Sequence, residues 1–470
     1  MQPQMHQNTN TTINPNQRRK TSFLENFFST NRNIKIGGIL FSAIIIILII
    51  ILIISSSMQP KPVQQEAVTI TFWTRDINQE AIRQIISDFE SQNTLIKVKH
   101  EIQSETDYKN RIVTRLSGLS TNMGNIVEID ESWIEELIPT LSPISDNAIL
   151  GRYSAATLNN NSFNNNIYAV PYAFDGILLA YNKDHLSEIA FTEEDFNKLD
   201  WSGLATKAKS ITKTQKAVLP TQTNKQYDKI IRSGIAVGSP RTVNNAKQIL
   251  KLLILQNETN IYSAEKKQYV IDTKFTEVMN FYVNFTVQNI WNDSIGNDIK
   301  AFAEGKTSMV LVRSSDIDKI MELNPNLNFA TTIPAKIASI RNISLSKSLI
   351  IPSYMPNYAQ SVKFLEFLTR SDNSIKIYEA KNTSTFVPAQ ITTLNKIPRT
   401  SPFAAFSDIN PTADRIKTFN EDSFDIAIES YLTETFDSYY KTAIPGENTA
   451  FKFDIKKLES TLNATTRKTK

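Results

Sequence analysis

Three stretches of the 470-residue chain carry residue types that could do chemistry. The first, Ala301–Val312 (AFAEGKTSMVLV), contains Gly305-Lys306-Thr307, the tail of a phosphate-binding loop. Such a loop needs a glycine five residues earlier, where Lys300 stands. It must also follow a strand and open a helix, so that the helix N-terminus faces the phosphates. Here helical spacing precedes the glycine and a strand-like apolar run follows it, so Gly305 is expected to end a helix. The second is Ser344-Leu345-Ser346-Lys347 with Ser371-Asp372-Asn373, a pattern of penicillin-recognising serine enzymes. The sequence has no Lys-Thr-Gly, and residues 340–352 read as strand where the nucleophile should open a helix. The third is a set of carboxylates. Asp130 or Glu131 with Asp175 could flank a glycosidic bond, although the sequence does not fix their separation.

Composition narrows the chemistry further. His6, His100 and His185 are scattered and there is no cysteine. That excludes disulfides, thiolate zinc sites and cysteine nucleophiles; neither a metal nor a cofactor is expected. Residues 1–35 hold Arg18, Arg19, Lys20, Arg32 and Lys35 against Glu25 alone, which accounts for the whole net charge of +4. The remainder is balanced, which argues against nucleic acid as a partner.

The basic arm precedes Ile36–Ile54, 19 residues without a charge. As a helix this run would reach roughly 28 Å, close to the thickness of a bilayer's hydrocarbon core. With the positive side N-terminal, residues 1–35 are expected in the cytoplasm and everything after Ile54 outside. A cleaved signal peptide shares this grammar, but its apolar core is shorter and its leading arm smaller. The arm itself is low in apolar residues and is expected to be disordered. Residues 55–67 form a polar linker, and 464–470 a basic tail.

Beyond the linker, strands and helices alternate. Val68–Trp73 is β-branched and aromatic, and Ile82, Ile85, Ile86 and Phe89 then recur at helical spacing. Ile96–Ile102 alternates as a second strand, Ile112, Leu116 and Leu119 mark a helix, and Asn125–Asp130 is a third strand. This β-α-β-α-β order predicts a mainly parallel sheet, with ligands beyond the carboxyl ends of its strands. Trp73, Arg75, Asp76, Asp130 and Glu131 are placed at those ends.

These motifs resemble the family 1 extracellular solute-binding proteins of ABC importers, the maltose-binding-protein-like group. The match runs through Ile70–Asp76 (ITFWTRD), Asn165–Leu186 (NNIYAVPYAFDGILLAYNKDHL), Asp200–Thr212, Ala301–Val312, Pro334 and Ala359–Gln390. It covers Val68 to about Asn463. The resemblance implies a two-lobed α/β fold of the type II periplasmic-binding-protein kind, and the Ile36–Ile54 run places one transmembrane helix before it. It places residues 68–172 and 308–344 in lobe one, and 173–307 and 345–463 in lobe two. Chain crossings are expected near Pro171–Phe174, Lys306–Ser308 and Ile343–Leu345.

The resemblance further implies a small solute, a carbohydrate, held between the lobes and passed to ABC permease subunits. Tyr172, Asp175, Trp291 and Arg313 join the five residues above as candidate ligand contacts. Arg313 stands where the family often has an aromatic, which removes a stacking ring and loosens the link to sugars. Two other readings stay open: a cell-surface carbohydrate hydrolase, and a surface binding module without a permease.

Overall fold

The computed structural model describes residues 32–57, 66–75, 77–219, 222–380, 387–447 and 449–467. The chain divides into two units, Met1–Glu66 and Ala67–Lys470. In the first, the apolar run lies within a single helix, Arg32–Ser57, of 26 residues. Consecutive aliphatic side chains from Ile44 to Ile54 are exposed, covering every face of that helix. Among the described residues no helix is long and apolar enough to cross a membrane. A helix thus forms where one was expected, while its passage through a bilayer remains an expectation.

The second unit is built on two sheets. In the first, the strands run in the order Ile96–Ile102, Val68–Thr74, Ile126–Asp130, Lys347–Ile350, Ala169–Ala173. The three strands read from sequence pair in parallel, with Val68 opposite Ile96 and Phe72 opposite Ile126. Lys347–Ile350 then runs antiparallel to both of its neighbours, so the sheet is mixed. The Gln79–Gln92 helix starts on an Asn78 cap, whose side chain accepts from the Ala81 N–H, and buries Ile82, Ile85, Ile86 and Phe89. A separate apolar cluster gathers Trp73, Tyr108, Ile112, Val127, Ile129 and Trp133.

In the second sheet, Leu178–Asn182 lies between Met309–Val312 and Phe329–Thr332, antiparallel to both. Gly305 ends the Asp298–Ala303 helix with φ of 71°, and the Lys306 N–H bonds back to the Ala301 carbonyl. A helix, a left-handed glycine and a strand follow one another, as the sequence implied.

These pairings correct the expected lobe boundaries. Residues 308–344, expected in lobe one, supply both outer strands of the second sheet. Lys347–Ile350, expected in lobe two, sits inside the first sheet. Nor does the chain cross at Lys306–Ser308: the Ser308 N–H bonds to Ser233 and its carbonyl accepts from Asn182, all beside the second sheet. An apolar strand such as MVLV carries no mark of which sheet it will join.

Three chain passages instead run side by side between the lobes. Asn342–Ile343 pairs in parallel with Ala413–Asp414. The Leu345 N–H bonds to the Asp175 carbonyl, and Asn342 bonds through its amide to both backbone groups of Ile177. Gly176 allows this close approach, since a Cβ there would lie 2.7 Å from Ile409 and 3.1 Å from the Ile343 carbonyl. The Glu421–Thr442 helix follows and packs on Ala246–Gln256 in lobe two.

Candidate ligand-binding cleft

Arg75 leaves the end of the first strand and turns back beneath its neighbours. Its Nε bonds to Glu128 Oε1 at 3.0 Å and its Nη2 to Asp130 Oδ1 at 2.5 Å. The guanidinium lies over the rings of Tyr108 and Trp133, 5.2 and 5.4 Å from their centres. Arg75 is only 4 % exposed. Burial alone would weaken its charge, but Glu128 and Asp130 outweigh that and raise its pKa. Lys347, opposite Asp130 in the sheet, brings its ammonium to 3.7 Å from Glu128.

Arg313 stands at the end of a second-sheet strand, just before the Ser314–Leu323 helix. Both its Nε and its Nη2 lie 2.9 Å from Asp175 Oδ2. The other Asp175 oxygen accepts from the backbone N–H groups of Gly176 and Ser314. Asp175 is the main reason the Arg313 pKa is raised, and Asp130 adds to it. An acidic group from lobe one therefore lies within electrostatic reach of a guanidinium from lobe two.

Glu131 is buried beside this pair, its Oε2 accepting from the Ser344 hydroxyl at 2.7 Å. Burial pushes its carboxyl up to about 7, against the pull of Arg415, Ser344 and Ser346. Arg415, on the lobe-two side, reaches the Ser132 carbonyl at 3.4 Å and Glu421 at 3.2 Å. Glu421 in turn accepts from the buried Lys251 at 2.7 Å. Further out, Lys109 of lobe one bonds to Asp422 of lobe two at 2.7 Å and lies 3.1 Å from Glu136.

Arg75, Asp130, Glu131, Asp175 and Arg313 are thus brought together where the lobes meet. Three other expected contacts are not. Trp73 is buried in the small cluster, its indole N–H bonded to Glu101 at 2.8 Å. Tyr172 is buried in the main core. Trp291 is 0 % exposed and packs so tightly that a Cβ on Gly238 would lie 2.5 Å from its ring. Each of these rings is packed in apolar core rather than lying at the cluster. Asp76 lies outside the described residues. Arg313 belongs to lobe two rather than lobe one, since its strand joins the second sheet. Sequence reading missed Lys109, Arg415 and Asp422, which come from segments with no shared motif, and met Lys347 only in the serine-enzyme pattern.

The Ser344–Lys347 stretch offers no nucleophile. The Ser344 hydroxyl is committed to Glu131, and Lys347 begins a strand. Among the described residues no group of three or more acidic, histidine or cysteine side chains could hold a metal. Two cavities, of about 270 and 780 Å³, lie in lobe two away from this cluster.

The family of bacterial extracellular solute-binding proteins matches residues 84–394. Among solved structures, the sugar-binding protein MalE of Xanthomonas citri is 17% identical, with a TM-score of 0.67 over 86% of this chain and 98% of that one. Maltose-bound MalE3 of T. maritima is 16% identical, with a TM-score of 0.60 over 86% and 100%. An ABC substrate-binding protein of Listeria monocytogenes, in complex with cycloalternan, is 14% identical, with a TM-score of 0.59 over 86% and 99%. No curated protein matches at the level of sequence. At these identities the structures share the fold. The family and these neighbours are binding proteins, not enzymes.

Proposed function

The chain belongs to the family of bacterial extracellular solute-binding proteins, and on that premise we propose that it is the membrane-anchored solute-binding component of an ABC importer. It captures a carbohydrate between its lobes and delivers it to permease subunits. The observation that carries this reading is the meeting of Asp130 with its Arg75 partner and Asp175 with its Arg313 partner at the hinge. Each carboxylate is matched by a guanidinium, so the site favours a neutral ligand that can both donate and accept hydrogen bonds. Sugar hydroxyls do both. The maltose and cycloalternan bound by two structural relatives agree with this ligand class.

Closure needs no chemistry. A solute that bonds to both lobes stabilises the form in which they meet, and a permease reads that form. The exposed aliphatic helix Arg32–Ser57, with basic residues before it, supports a tether with the Ala67–Lys470 unit outside the cell.

The test is a melting-temperature screen of the protein against mono- and oligosaccharides, with amino acids and polyamines as controls. A sugar at a hundred times its Kd should add about 2.7 kcal/mol of stability. A shift given only by a charged solute would defeat the carbohydrate assignment. Protease added to intact cells should digest Ala67 onward and spare residues 1–35; a released species starting near Met58 would remove the tether.

A further inference from the structure

A second polar cavity, of about 780 Å³, lies wholly within lobe two. One wall is the hairpin Lys213–Leu219 and Gln222–Arg232, which pairs with no other strand among the described residues. The opposite wall is the end of the Glu421–Thr442 helix and the turn after it. The hairpin is held to that turn at its far end. Lys225 bonds to Glu447, and a Cβ on Gly446, whose φ is 83°, would lie 3.2 Å from the Tyr227 Cβ. The floor is the loop after the Thr273–Val287 helix, where Asn289 donates to the Asp228 carbonyl at 2.7 Å.

The lining chemistry is specific. Tyr227, Tyr439 and Tyr440 are half-buried there, beside Asn289, Asn292 and Asp293. Tyr439 stacks flat on Phe451 with ring centres 3.9 Å apart, which fixes its plane. The Tyr440 hydroxyl accepts from the Asp293 N–H at 3.4 Å, and Asp293 accepts from Thr242 at 2.8 Å. Several charges around the rim are engaged already. Lys209 donates to the Gln288 carbonyl, and Lys216 pairs with Asp228 at 2.9 Å. The volume lies within the usual range for small-molecule sites, and the lining combines aromatic rings with convergent donors and acceptors.

We propose that this cavity is a second binding site, for a neutral oligosaccharide, separate from the cleft between the lobes. Fixed tyrosine rings suit the apolar faces of pyranose units, and the amides, phenols and carboxylate suit their hydroxyls. The site does not depend on what the inter-lobe cleft binds. Lying on one lobe, it stays formed whether the lobes are apart or together.

The test uses the full chain and three soluble probes, maltotetraose, cellotetraose and chitotetraose, with binding measured by calorimetry. At least one probe should bind the Arg313→Ala variant to saturation. That binding should weaken at least tenfold in Arg313→Ala/Tyr227→Ala and in Arg313→Ala/Ser294→Trp. The second change adds bulk to the lining from an exposed position and gives up only the Ser294 hydroxyl bond to Asn292, which guards against a folding defect. The proposal is overturned if no probe binds Arg313→Ala, or if the binding it retains is unchanged by Ser294→Trp. Failure of the cleft reading looks different: Arg313→Ala would then leave every affinity at its original value.

Discussion

Arg75 and Arg313 make the same kind of bond and face opposite conditions. Each follows the end of a strand and each grips a carboxylate. Arg75 is 4 % exposed, bonded to two acidic groups and covered by two aromatic rings. The Arg313 side chain is 36 % exposed and holds one. Losing the cation leaves a buried carboxylate in both cases, but Glu128 would keep only Lys347 at 3.7 Å, whereas Asp175 would keep the backbone N–H groups of Gly176 and Ser314. The same kind of ion pair is therefore enclosed in lobe one in the first case and partly open to solvent in the second.

The largest expected effect breaks the enclosed pair. Arg75→Met leaves the buried Glu128 without its main cation and should destabilise the protein by about 3–5 kcal/mol, read from the urea midpoint. A melting temperature equal to that of the natural chain would abolish the distinction drawn here. Next comes Glu131, which sharpens it because burial rather than pairing governs this carboxyl. Its folded-state pKa of about 7 lies above the unfolded value, so its stabilising contribution is complete below about pH 4 and is lost as pH rises through 7. Glu131→Gln mimics the protonated form. At pH 8 it should be more stable than the natural chain by something on the order of 3 kcal/mol, with the gap closing near pH 4.

Arg313→Ala should behave in the reverse manner to the Arg75 variant. Solute affinity should fall by about 1–3 kcal/mol while the ligand-free melting temperature moves far less. Unchanged affinity would leave Arg313 as a structural partner of Asp175 alone. The smallest effect belongs to the cross-lobe pair of Lys109 and Asp422, which is partly exposed. Lys109→Ala should weaken solute binding by under about 1 kcal/mol, and added salt should mask the difference. A larger, salt-insensitive loss would mean that Lys109 touches the solute.

What the sequence made legible follows from local periodicity. The opening strands and helices, and the helix, glycine and strand around Gly305, are set by neighbours a few residues apart. Asp175 and Arg313 entered as candidates through the family resemblance, and they do meet. The tryptophans were ambiguous in the sequence for a physical reason. Trp73 and Trp291 have the chemistry of sugar platforms, but a ring that large also fills a core, and only three-dimensional packing decides between these uses. The sheet exchange of Met309–Val312 and Lys347–Ile350 was equally silent, since neither strand carries a mark of the sheet it joins. Lys109 and Asp422 lie 313 residues apart, and no pattern in one segment points to the other.

The place of Lys347–Ile350 also fixes an order in time. It lies between Ile126–Asp130 and Ala169–Ala173, so an interior strand of the first sheet is the last of the five to be synthesised. At typical translation speeds it appears roughly 10–35 s after Ala173 has been made. Throughout that interval two strand edges lack their partner, and lobe one cannot close its sheet. A chain cut short before Lys347 would carry both edges bare, ready to pair with those of its neighbours.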